Sequence, residues 1–240
     1  MSYYGGVPGG SGPTFAAPPV TPMVRRILIV LAATFFVQVL LAKAGFFFIE
    51  RWLRLDLPSS GYLALWQLVT YALLHGGLWH LLMNALGLWM LGGEVERYLG
   101  SRGFLQYFAA CVVGGGVLHT VFGLFSSYPQ PVIGSSAGVL GLVLAYAMFF
   151  PQRQLFIFPL PFPIRARTFA LIFGAIDLFG AIDANPGDGI AHFAHLGGMA
   201  GGYLYIRFML RRGGGGGFGL FRRKPKFRTY DGGGGPGGWH

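Results

Sequence analysis

The sequence predicts an all-α membrane protein, a bundle of six transmembrane helices with both termini in the cytoplasm. The composition is 53% hydrophobic and only 11% charged, whereas a soluble domain carries about 25% charged residues. The chain also contains apolar runs long enough to cross a bilayer, and its basic residues concentrate in the connections on one side. Together these observations favour a lipid environment for most of the chain.

The apolar runs define the predicted spans, since a helix that crosses a membrane needs about 20 apolar residues. The runs lie at about 26–47, 77–93, 104–125, 132–150, 168–184 and 190–210. The second and fifth runs are the shortest and the most polar. The chain therefore divides into a Gly/Pro-rich N-terminal tail (1–24), a membrane domain (25–212) and a basic, Gly-rich C-terminal tail (213–240).

The lysines and arginines predict the orientation. With six spans, 15 of the 18 basic residues lie on the side of the termini, and only Lys43, Arg51 and Arg54 lie opposite. An excess of positive charge marks the cytoplasmic side. The net charge of +10 is thus explained by membrane topology, and nucleic acid is not an expected partner.

Polar side chains inside the spans suggest a site, because such groups are costly in lipid unless they are paired or functional. His80, Asn84, Ser136 and His195 lie on the second, fourth and sixth spans, all of which run from the outer side inward. His80, Ser136 and His195 are each about three to five residues into a span, so about 1.5 Å of rise per residue puts them at similar depth. His80 and Asn84 are four residues apart and share a helix face.

The residue types at this level suit acyl transfer. Gly134 and Gly138 flank Ser136, and Gly198 follows His195, so the fourth and sixth helices can approach closely. A serine hydroxyl becomes a nucleophile when a histidine removes its proton.

Acyl transfer also needs hydrogen-bond donors for the oxyanion, and in many serine enzymes a carboxylate orients the histidine. Asp177 is the only acid well inside a span, and no carboxylate is expected to reach the histidine, so the sequence predicts a Ser–His dyad. His80, Asn84 and the backbone N–H of Ser136 are the expected oxyanion donors.

These motifs resemble the rhomboid family of intramembrane serine proteases over residues 25–210. The resembling segments are HGGLWHLLMN (75–84), GGEVERYLGSRGFLQYF (92–108), GSSAG (134–138) and AHLGG (194–198). The resemblance implies that Ser136 is the nucleophile and His195 the base, and that His80 and Asn84 help to form the oxyanion hole. It also implies transmembrane proteins as substrates, no cofactor, and a bacterial inner membrane location with the site toward the periplasm.

The chain departs from the family pattern at three positions. Ala137 follows the nucleophile where the family often has glycine, and Gln67 stands where many members have arginine after Trp66. Leu140 occupies a position where some members carry an aromatic ring. These differences concern orientation and rate more than the type of reaction.

Several alternatives remain beside this interpretation. His192, three residues before His195, is the rival base. His75 is expected to be an interface or loop residue, with positioning of substrate as an alternative, and His119 is expected to be structural. No metal site is predicted, because the chain has no HExxH motif and no Cys–His cluster. An inactive relative that escorts transmembrane clients and a small-solute transporter are the other function classes. The transporter would require an internal repeat, and the sequence has none that we detect.

Overall fold

The computed structural model describes residue 18 and residues 20–56, 64–125, 130–155, 162–183 and 191–213. Most of the predicted N-terminal tail (1–24) and nearly all of the C-terminal tail (213–240) lie outside these described residues.

Helices make up nearly all of the described secondary structure. They are α1 (Pro22–Lys43), α2 (Phe47–Leu53), α3 (Gln67–Thr70), α4 (Leu78–Gly123), α5 (Ser136–Phe149), α6 (Ala166–Asp183) and α7 (His192–Gly213), with a 3₁₀ turn at Tyr71–Leu73. A short antiparallel ladder pairs β1 (Gln154–Leu155) with β2 (Ile164–Arg165) between α5 and α6.

The second and third predicted spans form one element, α4, with a sharp break at Gly100. Gly100 has φ 74° and ψ 157°, a combination that interrupts the helix and favours glycine. The sequence predicts a connection at about 94–103 between these spans. In the structure this segment is helical on both sides of Gly100. This break lets the two halves of α4 run in different directions.

The fourth predicted span begins four residues later than expected, at Ser136. Val132 is not helical because it pairs with Leu55 through both backbone hydrogen bonds, at 2.9 and 3.0 Å. Gly134 follows with φ 117°, in the left-handed region. The chain thus reaches α5 through an extended segment and a turn that favours glycine, and Ser136 becomes the first residue of the helix.

The long connection before α4 includes contacts between two of its tryptophans. Its described part contains α2 and α3, and the Trp66 indole donates a hydrogen bond to the Trp52 carbonyl at 3.0 Å. The rings of these two tryptophans lie 5.3 Å apart. Residues 57–63 of this connection lie outside the described residues.

Helix α5 forms the centre of the bundle, and the outer helices present apolar surface. All positions of α5 from Ala137 to Val143 are buried, and α4 and α7 pack against it. On α6, by contrast, Leu171 and Ile182 are 73% and 70% exposed. Exposed apolar side chains on outer helices are typical of a surface that contacts lipid.

Among the described helices, α1 and α4 are long and apolar enough to cross a membrane, and α5 is apolar but has 14 residues. At about 1.5 Å per residue, α5 extends roughly 21 Å. It is therefore shorter than the span of about 20 residues expected from the sequence.

Glu96 joins the start of α1 to α4 near the break at Gly100, outside the predicted spans. Its carboxylate accepts hydrogen bonds from the Thr21 hydroxyl, from the Ser101 hydroxyl at 2.5 Å and from the Val24 amide at 3.0 Å. Burial raises the pKa of Glu96, but these hydrogen bonds outweigh burial and hold the pKa below its ordinary value of 4.5.

Candidate active site

Ser136 and His195 lie side by side where the first turns of α5 and α7 meet. The Ser136 hydroxyl oxygen is 2.8 Å from Nε2 of His195, a hydrogen-bond distance. Ser136 is the first residue of its helix and His195 the fourth, so both lie at the same end of the bundle. The structure therefore brings together the two residues that the sequence predicted as nucleophile and base.

A carboxylate also reaches this histidine, and the sequence-based expectation that none would do so is wrong. Oδ1 of Asp177, on α6, lies 2.8 Å from Nδ1 of His195. Asp177 is 4% exposed. A carboxyl group buried among apolar residues needs a hydrogen-bond partner, so the isolation of Asp177 in its apolar run was a signal that it would be paired. The sequence could not show that α6 turns this side chain toward α7.

His192, the rival base, contacts the same carboxylate. Its Nδ1 lies 2.9 Å from Oδ1 of Asp177. Among the described residues, the ligand atoms of Asp177, His192 and His195 lie within 4.8 Å of one another, close enough to hold a metal ion. The separations are those of hydrogen bonds from two rings to one carboxylate oxygen, which accounts for the arrangement without a metal. The absence of a metal site stays a prediction.

His80 and Asn84 occupy successive turns of α4 beside the serine. The Asn84 amide donates one hydrogen bond to the His80 carbonyl at 2.9 Å, and its second N–H is not used in that contact. Nδ1 of His80 accepts from the Gly76 amide at 3.4 Å, so its Nε2 carries the proton. Both side chains line the same cavity as Ser136 and can serve there as hydrogen-bond donors.

Gly134 and Gly138 make close contacts that a side chain would disrupt. A Cβ on Gly134 would lie 2.6 Å from Cε1 of His80, and the positive φ of Gly134 already disfavours other residues. Gly138 packs on the ring of Phe108 in α4, where a Cβ would lie 2.5 Å from the ring carbons.

Gly198 lies at a close contact between α5 and α7. A Cβ there would lie 2.8 Å from Cα of Ala137 and closer still to the Ala137 carbonyl oxygen. This contact lies next to Ser136 and one turn beyond His195.

A large cavity leads to these residues. Its volume is about 820 Å³, and it lies between the N-terminal half of α4, α5 and α6. Polar groups line one end, and apolar side chains line the rest, among them Met83 and Met90 of α4 and Phe169 and Phe173 of α6. A few polar groups that converge in an apolar cleft of this size are typical of a binding or catalytic site.

Comparison with known proteins agrees with the geometry. A rhomboid domain model matches residues 63–212. The chain belongs to the rhomboid family. Rhomboid protease GlpG of Yersinia pestis (strain Pestoides F) is 29% identical over 193 residues, which cover 76% of this chain and 61% of the relative. Rhomboid protease GluP of Bacillus subtilis (strain 168) is 33% identical over 141 residues, or 58% of this chain and 25% of the relative. The chain thus spans about three fifths of the length of GlpG.

The structure shows the contacts of the three residues that depart from the rhomboid pattern. Gln67 is buried, and its side-chain oxygen accepts a hydrogen bond from the Ala64 amide at 3.1 Å, so it stabilises the connection before α4. Leu140 lines the cavity as an aliphatic side chain. The backbone of Ala137 packs on Gly198, and its methyl group lies against Gly115 of α4, so there is little room for a larger side chain at this position.

The other two histidines within the described residues, His75 and His119, have hydrogen-bond partners. Nε2 of His75 lies 3.3 Å from the Ser135 hydroxyl, and the backbone of His75 pairs with the Gln38 amide at 3.1 Å in both directions. Nε2 of His119 lies 2.9 Å from the Gln130 carbonyl. His119 therefore has the structural partner that the sequence did not reveal.

Proposed function

We propose that this chain is an intramembrane serine endopeptidase that cleaves peptide bonds in or beside transmembrane segments of other proteins. The observation that carries the proposal is the 2.8 Å contact between the Ser136 hydroxyl and His195 Nε2 at the wall of the cavity. Membership of the rhomboid family and the names of the related rhomboid proteases support the same reaction.

The chemistry follows from the positions of the two side chains. Nε2 of His195 takes the proton of the Ser136 hydroxyl while the oxygen attacks the scissile carbonyl carbon. The histidine then gives that proton to the leaving amine, and an acyl-enzyme remains. The oxygen of a water molecule then attacks the acyl carbon while a water proton moves to the same nitrogen. The ester bond to Ser136 breaks, the second product leaves with a carboxyl group, and the histidine returns the proton to the serine oxygen.

Three donors are available for the oxyanion. Ser136 is the first residue of α5, where backbone N–H groups have no partner within the helix. Nε2–H of His80 and the second N–H of Asn84 line the same end of the cavity. Donors arranged in advance around the developing negative charge lower the barrier, and each contributes about 2.7–4 kcal/mol in comparable sites.

The cavity suits an apolar polypeptide segment. Its walls are mainly aliphatic, methionine and phenylalanine side chains, and its polar groups lie at the catalytic end. A transmembrane segment that unwinds locally near small or helix-breaking residues would present an extended backbone to Ser136. The side chains of α4 and α6 that face the cavity make these helices the candidate gate for entry.

The proposed topology has six spans, with α4 supplying two across the break at Gly100, and both termini in the cytoplasm. The bias of basic residues toward one side supports this orientation. The active site then opens toward the periplasm of a bacterial inner membrane, and the lipid bilayer is a partner of the exposed apolar surface.

The test uses the full chain, purified in detergent and also reconstituted in liposomes, with a model transmembrane substrate. We expect cleavage by the wild type and no detectable cleavage by Ser136→Ala or His195→Ala. Ser135→Ala and His119→Gln are the matched controls and should retain cleavage. Cleavage by Ser136→Ala would contradict the serine mechanism. Loss of wild-type cleavage when a chelator removes metal ions would contradict it as well.

The alternative is an inactive rhomboid-like protein that binds transmembrane clients. This chain keeps both the serine and the histidine in hydrogen-bond contact, which favours the protease. Client binding without cleavage by the wild type, unchanged in Ser136→Ala, would favour the alternative.

A further inference from the structure

One buried carboxylate oxygen joins two imidazoles at the proposed site. Oδ1 of Asp177 lies 2.8 Å from Nδ1 of His195 and 2.9 Å from Nδ1 of His192. Both histidines lie on α7, three residues apart, so they face α6 together. A charged carboxylate accepts hydrogen bonds and cannot donate them, so each of the two Nδ1 atoms must carry a proton.

This protonation pattern determines what His195 can do. An imidazole that is neutral and carries its proton on Nδ1 has a lone pair on Nε2. Nε2 is the atom that lies 2.8 Å from the Ser136 hydroxyl, so the lone pair accepts the serine proton. With the proton on Nε2 instead, the ring would present a donor to the serine and could not act as its base.

We propose that Asp177 is a positioning residue that completes a Ser136–His195–Asp177 triad, with His192 as a second donor that holds the carboxylate in place. This inference rests on the proposed function. During catalysis the serine proton moves to Nε2 of His195 and then to the leaving amine. The Nδ1 proton stays on the ring, and Asp177 remains ionised throughout, so its charge stabilises the transient imidazolium.

The packing around His192 supports its part in this arrangement. His192 is buried, and Gly180 of α6 lies against its ring, since a Cβ on Gly180 would be 2.7 Å from Cδ2 of His192. The ring is thus held between the carboxylate and the backbone of α6. A second donor on Oδ1 limits rotation of the Asp177 side chain away from His195.

Asp177→Asn is the informative substitution because it keeps the shape of the side chain. The asparagine amide can donate to Nδ1 of His195, which shifts the ring proton to Nε2 and removes the base. We expect kcat to fall by at least about 100-fold with KM within about threefold of the wild type, as in other triads that lose their acid. His192→Gln should lower kcat by a smaller factor, about tenfold.

Two further measurements separate positioning from folding. The rate at which a fluorophosphonate labels Ser136 should fall with kcat in Asp177→Asn, and Asp177→Glu should restore part of it. Asp183→Asn removes an exposed carboxylate from the same helix and should leave both rates unchanged. In the wild type, ¹⁵N spectra of labelled histidine should show His195 protonated on Nδ1, a result that does not depend on any variant.

The outcomes distinguish this inference from the proposed function. A wild type that cleaves through Ser136, together with an Asp177→Asn variant whose kcat lies within threefold, overturns the triad and leaves the protease intact. A wild-type spectrum with the His195 proton on Nε2 also overturns the triad. If the wild type cleaves no substrate, the protease proposal fails, and the ¹⁵N spectra and the labelling rates still test Asp177.

Discussion

Gly198→Ala tests whether the contact between α5 and α7 sets the catalytic distance. The added methyl carbon would lie 2.8 Å from Cα of Ala137, whereas non-bonded carbons prefer about 3.5–4.0 Å. The two helices must therefore move apart by roughly 1 Å. Because Ser136 adjoins Ala137 and His195 lies one turn before Gly198, their hydrogen bond of 2.8 Å would stretch beyond bonding range.

Such a displacement has a measurable cost in both rate and stability. A 1 Å error in the position of a reacting group lowers the rate by about 100-fold, and overpacking a core site costs about 1–3 kcal/mol of folding free energy. We therefore expect kcat to fall by about 100-fold, with a lower melting temperature in detergent. Cleavage of the model transmembrane substrate and thermal unfolding measure the two effects.

The matched control is Gly174→Ala on α6. A Cβ there would meet only the flexible end of Met199, at 3.5 Å, so both activity and melting temperature should stay close to the wild type. If Gly198→Ala keeps more than about a third of the wild-type kcat, the reasoning is refuted, because the separation of the two helices would then not govern the reaction.

Two further substitutions test the oxyanion site and the link between α1 and α4. Asn84→Ala should lower kcat by about 10²–10³-fold with little change in KM, because it removes a donor that acts mainly on the transition state. Steady-state kinetics measure both constants, and an unchanged kcat excludes Asn84 from the oxyanion hole. Glu96→Gln should destabilise the protein by about 2 kcal/mol at neutral pH, because charged hydrogen bonds are lost. The folded pKa of Glu96 lies below 4.5, so the carboxylate stabilises the fold above that pH and the stabilisation is lost as the pH falls through the folded value. The difference in melting temperature between Glu96→Gln and the wild type should therefore shrink on acidification, and a difference that is independent of pH contradicts the assignment.

The site residues were predictable where local sequence carried their chemistry. His80 and Asn84 share a face because of their spacing of four residues, and the small residues around Ser136 and after His195 predicted a close approach of two helices. The Ser136–His195 contact and the Gly198–Ala137 contact agree with those predictions. Their roles in catalysis stay predictions until the substitutions are made.

Other features depended on partners distant in the chain. Helix α5 begins late because Val132 pairs with Leu55, which lies 77 positions earlier in the sequence. The packing of Gly138 on Phe108, which lies 30 positions earlier, likewise depends on which helices meet in the fold. Hydropathy gives the same signal for every buried apolar position, so it does not distinguish between neighbours.

The sequence by itself determined that this chain is helical and apolar, which residues carry polar chemistry, and at which end of their helices they lie. These properties depend on the period of the helix and on the cost of polar groups in lipid, both of which act locally. Only the tertiary structure decided that Asp177 faces His195 and His192. The rotation of α6 about its own axis depends on how its side chains pack against α5 and α7, and no pattern within α6 alone specifies that rotation.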